Sequence, residues 1–362
     1  MDDFVRLPSR LYRDCPQYVP DMERDIRDMF DPRKNAGLGF CEVQPFVAYY
    51  WSTPVGRIVG IINHRANRKW ERRCVCFGLI EFIDHSEVSQ ALLSAVEQWG
   101  YQRGMDCIQG PLGITDFDKE GMLVEDFDLT GSMTAIYNLP YYPRHLETLG
   151  YMKAVDWLQA RIQVPTEVPA RYHRVAQYAR EQLGLHVRKM TKKEVLGEDG
   201  QRVFRLLNEA YSHLFEFSEF TTAQVQEFLK KYISLVDLRL VPVVENDKGE
   251  MVGVAITMQS MTQALQRSRG RLLPIGWWHL LRALRRNRQD SVEMLLVAVR
   301  PDYQGLGVNA LFFDDLIPIY NKMGIHWAET GPQLEENVRV LSQWKALNPS
   351  LVKRRRCFSK EL

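Results

Sequence analysis

The chain has 362 residues, 45% of them apolar and 25% charged, with a formal net charge of +2. That is length enough for two domains, each with its own core, and the composition is that of a globular protein. Near-neutrality excludes a chain that coats nucleic acid through bulk charge, although a strongly basic segment lies near residue 280.

The cysteines at 15, 41, 74, 76, 107 and 357 are scattered. Cys74 and Cys76 have no second pair and no histidine cluster beside them, so no metal is expected and a reducing compartment fits. On a strand the two would share a face as small buried hydrophobes. Met1-Asp2-Asp3-Phe4 shows no basic stretch leading into an apolar one. No run reaches the roughly 18 apolar residues of a spanning helix. The expectation is a cytoplasmic protein, or one peripheral at the inner membrane face.

In chain order, residues 1–40 are mixed, and Pro8, Pro16, Pro20 and Pro32 are expected to break any long helix. Strands are predicted over 46–50 and 57–63, turning at Ser52-Thr53-Pro54, and over 73–82. The spacing of Val88, Leu92, Leu93, Val96 and Trp99 predicts a helix over 87–101, which Gly104 ends before a strand near 105–109. A glycine-bearing polar stretch (110–131), a short helix near 143–149 and a strand over 154–164 complete this half. Pro165-Thr166-Glu167-Val168-Pro169 is the expected linker, dividing the chain into 1–165 and 166–362.

Beyond it the pattern predicts a helix from about 170, a strand over 185–189, and helices over 194–211 and 222–233. Strands over 238–244 and 251–258 flank a turn at Asn246–Gly249. A strand over 291–299, a helix from 307, a strand over 325–329, a helix from 334 and a strand over 351–360 follow. Both halves repeat one order: antiparallel pair, third strand, helix, strand, short helix, strand. An α/β chain that uses one mixed-sheet fold twice is therefore expected.

The stretch from Ser291 to Leu311 carries the chemistry. An apolar strand ends at Val299, a proline turn follows, and Gln304-Gly305-Leu306-Gly307 opens a helix. Amides at a helix N-terminus, reached through glycines, attract phosphate. Val299-Arg300-Pro301-Asp302-Tyr303-Gln304-Gly305-Leu306-Gly307-Val308-Asn309 resembles the acyl-CoA loop, Q/R-x-x-G-x-G/A, of the GNAT superfamily of N-acyltransferases. Glu329 to Trp344 is similar to that family's fifth strand and following helix, with Asn337 at its usual Asn. The resemblance covers about 170–362. The whole chain also resembles two-lobed bacterial GNAT-like proteins whose first lobe has the fold without the loop.

The resemblance implies two GNAT-like lobes in tandem and an acyl-CoA, acetyl-CoA or longer, as co-substrate without a metal. Main chain at Leu296, Val297 and Val299 would pair with the pantetheine arm. Gln304, Gly305, Leu306, Gly307, Val308 and Asn309 would cradle the pyrophosphate, and Asn337 would complete the cofactor site. Glu293 stands where the family's glutamate deprotonates the acceptor amine, a step required because an ammonium has no lone pair. Its apolar neighbours Met294, Leu295 and Leu296 should raise its pKa. A strand-edge carboxylate paired with an arginine is the plainer alternative.

Two positions depart from the family pattern. Asn309 replaces Gly or Ala, and Trp344 stands where a tyrosine commonly protonates the leaving thiolate, with Tyr303 and Tyr320 as substitutes. In the first lobe Ile83-Asp84-His85-Ser86-Glu87-Val88 takes the loop's place, and its acidic residues repel phosphate. The stretches 110–118 and 137–142 would line an interlobe cleft or serve packing and turns.

No Asp or Glu occurs from Met251 to Gln289, whereas Arg267, Arg269, Arg271, Arg282, Arg285, Arg286 and Arg288 do. This insertion, about 260–290, interleaves arginines with Trp277 and Trp278. It suits an anionic membrane surface, an acyl carrier protein, a gate for a lipid tunnel, or a helical hairpin packed on the protein. Nucleic acid is not an expected partner. The expected function is transfer of an acyl group from a thioester to a primary amine, small or lipid-like. The alternative is a non-catalytic acyl-CoA-binding or membrane-surface protein.

Overall fold

The computed structural model describes residues 1–115, 117–272, 276–285 and 290–362. One mixed sheet runs through both halves. The first half supplies β1 (Cys41–Tyr50), β2 (Thr53–Asn63), β3 (Cys74–Phe82), β4 (Cys107–Gly110), β5 (Met122–Leu123) and β6 (Met152–Gln163). The second supplies β7 (His186–Lys189), β8 (Pro242–Glu245), β9 (Met251–Gln259), β10 (Ser291–Val299), β11 (Trp327–Thr330), β12 (Gln333–Leu334) and β13 (Ser350–Glu361). They lie in the order β1-β2-β3-β4-β13-β6-β11-β10-β9-β8-β7, with β5 beside β13 and β12 beside β6.

Each half builds one unit. β1 and β2 form an antiparallel hairpin, and β3 pairs in parallel with β4. A parallel pair needs a crossover, which the helix Ser86–Tyr101 provides. Its Leu92, Leu93, Val96 and Trp99 bury against Ile58, Ile62, Val75 and Phe77. In the second half β8 and β9 form the hairpin, β10 and β11 the parallel pair, and the helix Val308–Lys322 the crossover. Leu316, Ile317 and Tyr320 of that helix pack with Val292, Ile325 and Ala328. Full burial of each such Leu, Ile or Val stabilises by roughly 1.5–3 kcal/mol.

The final strands are exchanged. β6, from the first half, pairs with β11, while the C-terminal β13 pairs with β4. β6 and β13 also pair with each other, from Ser350 opposite Arg161 to Ser359 opposite Met152.

Three local readings differ from expectation. Pro8 does not break the first helix, Asp2–Leu11, but sits inside it. The Phe4 carbonyl, which Pro8 cannot serve for lack of an N–H, accepts from Arg57 Nη1 at 2.9 Å instead. The helix expected over 194–211 is two, Lys192–Leu196 and Glu198–Tyr211, divided at Gly197, which closes one and opens the next. The helix expected from 334 begins at Val338, because Gln333 and Leu334 are drawn into β12 beside Trp157 and Leu158.

The basic insertion holds the helices Thr262–Ser268 and Gly276–Arg285. Arg286 and Arg288 lie outside the described residues. Among the described residues no helix is long and apolar enough to cross a membrane.

Candidate active site

The site begins where two parallel strands part. β10 pairs with β11 only from Ser291–Trp327 to Met294–Thr330. There the Gly331 amide closes on the Met294 carbonyl at 2.8 Å, and the chain turns away. β10 continues to Val299 along β9, with Leu295 bulged between the pairs Met294–Thr257 and Leu296–Ile256. A bulge bends and twists a strand, here at the fork. The β11 side of Leu296, Val297 and Val299 is thus left open. One acceptor on it is already engaged: the Tyr211 hydroxyl donates to the Val297 carbonyl at 3.1 Å.

Beyond Val299 the loop turns back on itself. Gln304 Nε2 donates to the Val299 carbonyl at 3.2 Å. Gly305 and Gly307 hold φ of 82° and 90°, a region that favours glycine. A Cβ at Gly307 would also meet Val175 Cγ1 at 2.9 Å. Among the described residues no acceptor serves the amides of Gly305, Gly307, Val308 and Asn309. Four donors with no partner among the described residues, at the positive end of a helix of 15 residues, form a cradle of the kind that suits an anion.

Asn309 fits where Gly or Ala was expected because its side chain turns aside: Nδ2 donates to Gln343 Oε1 at 2.6 Å. Its Oδ1 is buried without a partner among the described residues. Asn337 caps the helix Val338–Gln343, its side chain accepting from the Val340 amide at 3.3 Å.

These groups face a cavity of about 2020 Å³ between the halves. Leu296, Val297, Val299, Gln304, Gly305, Gly307, Val308, Asn309 and Asn337 line it. Leu306 points outward, 42% exposed, and is not part of the wall. Glu293 is set behind the wall as well. It is buried, accepting from Thr134 Oγ1 at 3.0 Å and Ser260 Oγ at 3.1 Å, and only Thr134 of the three faces the cavity. Burial, and then the nearby Glu329, hold its pKa above the usual carboxylate range.

Of the tyrosines named as substitutes, Tyr320 is buried and donates to Thr257 Oγ1 at 2.9 Å, away from the cavity. Tyr303 lines the cavity and accepts from Asn246 Nδ2 at 3.0 Å. Trp344 is core, 2% exposed, with its indole N–H on Gln333 Oε1 at 3.0 Å.

The first half has the same fork, since β3 pairs with β4 only from Cys74 to Cys76. Part of that edge is engaged by its own chain. The Leu112 amide donates to the Phe77 carbonyl at 2.9 Å, the Tyr141 hydroxyl to the Phe82 carbonyl, and the Phe82 amide to Tyr142 Oη at 3.0 Å.

Sequence reasoning missed a polar cluster on this side of the cavity: Glu81 Oε2 accepts from the Tyr12 hydroxyl at 2.5 Å and the Tyr142 hydroxyl at 2.8 Å. Arg57 Nη2 stands 3.9 Å from Oε1. Burial raises the Glu81 pKa to about 7, against the lowering effects of Arg57 and the two phenols. No local pattern marks it, because its partners come from three distant segments. Tyr211 was missed for the same reason.

Two forked parallel pairs, each with its crossover helix and one with the cradle, are the GNAT fold used twice. A solved tandem GNAT protein from the clavulanic acid biosynthesis pathway matches this arrangement with a TM-score of 0.56, over 99% of this chain and 94% of its own, at 12% identity. No family model matches the chain. Two curated proteins are similar along most of it. Protein YghO of Escherichia coli (strain K12) is 25% identical over 99% of this chain and 92% of its own length. The bacterial ceramide synthase of Caulobacter vibrioides (strain NA1000 / CB15N) is 29% identical over 83% of this chain and 78% of its own length.

Proposed function

We propose that the protein is an N-acyltransferase that moves an acyl group from an acyl-CoA to a primary amine carried by a lipid-like acceptor. The observation that carries this reading is the union, on one cavity wall, of the forked β10 edge and the amides of Gly305, Gly307, Val308 and Asn309, which no acceptor among the described residues serves. Pyrophosphate would sit on the cradle, and the pantetheine arm would follow β10 to the fork. The cavity, about 2020 Å³, exceeds the ~300–1,000 Å³ of an ordinary ligand pocket and leaves room for a second large molecule. The similarity to a ceramide synthase supports a lipid-like acceptor.

In this reaction the amine nitrogen attacks the thioester carbonyl carbon, the C–N bond forms and the C–S bond breaks. β10 amides polarise the carbonyl as negative charge develops on its oxygen. Starting from an ammonium, the nitrogen sheds two protons, one before attack and one after, and the second ends on the departing thiolate. Glu293 takes part only through the Thr134 hydroxyl, which would pass it the second proton on the way to sulfur. Glu293→Gln and Thr134→Val should then lower turnover by similar factors, and the double variant no further than either alone. Rates that fall multiplicatively refute that relay.

Thiol release from acyl-CoA with long-chain primary amines, checked by mass spectrometry of the amide, tests the reading. Gly307→Ala adds a Cβ where φ is 90°, which costs about 1–2 kcal/mol. It should weaken CoA binding about tenfold in calorimetry. Absence of CoA binding in the wild type overturns the reading. CoA binding with no amide from any amine favours a non-catalytic binder, a reading that Trp344 in place of a phenol supports.

The insertion supports access from a lipid surface. Leu280 of the helix Gly276–Arg285 lines the cavity, while Trp277 and Trp278 are each 49% exposed. Sedimentation with phosphatidylglycerol vesicles should fall several-fold in a Trp277→Ser/Trp278→Ser variant.

A further inference from the structure

We propose that Glu81, on the first-lobe wall of the cavity, is where the acceptor's ammonium docks and gives up its first proton. The placement carries it. Glu81 is 7% exposed and lines the cavity together with Val59, Ile61, Ile80 and Met122, so it is a carboxylate on an apolar wall. Both phenolic hydroxyls engage Oε2. Among the described residues Oε1 has only Arg57 Nη2, at 3.9 Å, beyond hydrogen-bond distance. Its neighbour also carries an unmet polar atom. Arg57, 2% exposed and itself on the cavity wall, has a buried Nε with no partner among the described residues.

The two residues complement both forms of an amine. An ammonium donates to Oε1 as a charge-assisted bond. Transfer of one N–H proton to that oxygen leaves a neutral amine and a neutral carboxylic acid, each cheaper than an ion to hold against an apolar wall. The nitrogen lone pair, now free, can accept from the Arg57 guanidinium, whose Nη2 is the group beside Oε1. The neutral amine is the nucleophile the transfer needs, and it moves within the same cavity. The charged and titratable groups around Glu81 are Tyr12, Tyr142, Arg57, Tyr18, Tyr141 and, at longer range, Asp21. Their balance with burial sets its titration near neutrality.

The inference rests on the acyl-transfer reading only for naming the amine as an acceptor. Docking is testable without CoA. Calorimetry of the full chain with dodecylamine, in buffers of differing ionisation enthalpy, reads affinity and proton release together. Ammonium binding to an ionised Glu81 should tighten about tenfold per pH unit below 7, level off above it, and release about half a proton at pH 7.

In Glu81→Gln the profile should flatten, proton release vanish and affinity fall at least tenfold. Tyr142→Phe keeps the carboxyl but removes a bond that lowers its pKa, so the limb should move to higher pH. Wild-type affinity and pH profile in Glu81→Gln, or an unmoved limb in Tyr142→Phe, overturns the proposal. Amine docking as described without amide formation overturns acyl transfer and leaves this site standing. Amide formation with unaltered amine binding in Glu81→Gln does the reverse.

Discussion

Glu81 sits against the stability of the fold. Its carboxyl is raised from 4.5 to about 7 by burial, so the folded state disfavours its charged form. A shift of that size corresponds to on the order of 3 kcal/mol of differential stability. For a raised pKa the favourable contribution is complete below about 4.5 and is lost as pH climbs to 7. Glutamine carries no charge at either end of that window. The melting temperature of the wild type, measured against Glu81→Gln, should therefore fall between pH 4.5 and 7 and stay flat above it. A constant difference across that range would show that Glu81 does not titrate there. At this scale the sequence revealed what is local. Gln304 to Gly307 announce themselves because the cradle amides, Gly305, Gly307, Val308 and Asn309, lie within and just after that short run. Glu81 was hidden, since only folding brings Tyr12, Arg57 and Tyr142 to it.

At the scale of elements the site depends on where pairing stops. β10 is legible as an apolar run with the bounds the structure gives, 291–299, but the fork after Met294 is a relation between two strands. The cavity wall opposite is held by caps. The helix Thr222–Tyr232 begins with a capping box in which Thr221 and Gln224 serve each other's amides. Gln224, Glu227, Phe228 and Lys231 of that helix line the cavity. Thr221→Ala should cost about 1 kcal/mol in denaturant unfolding. An unchanged midpoint would mean that packing alone fixes the helix start. The first helix teaches the opposite lesson about local signals. Pro8 reads as a breaker, and Arg57 from β2 overrides it by serving the Phe4 carbonyl.

For the whole molecule, the repeated order of elements was visible along the chain, whereas the exchange of β6 and β13 was not. Strand exchange is a long-range pairing, and nothing in a local pattern distinguishes a last strand that folds back from one that crosses over. Its consequence is mechanical. Between the fork of one half and the fork of the other stand β4, β13, β6 and β11, hydrogen-bonded in that order. The ion pairs that tie this seam cross it: Arg354 and Arg356 of β13 both reach Asp156 of β6, which is 1% exposed. Asp156 is held below the usual carboxylate range by those arginines, against its burial.

A cut at the linker would leave 1–165 with β4 lacking β13 and with β6 lacking β11, while 166–362 would lose the reverse partners. Buried strand edges without partners are costly and prone to aggregate. Each half expressed alone should therefore be insoluble or lack near-ultraviolet dichroism. The two halves expressed together should re-form a one-to-one complex that elutes with the intact chain. Two independently folded, monomeric halves would show that the exchanged strands are dispensable, and the cavity between the forks would then lose its structural basis.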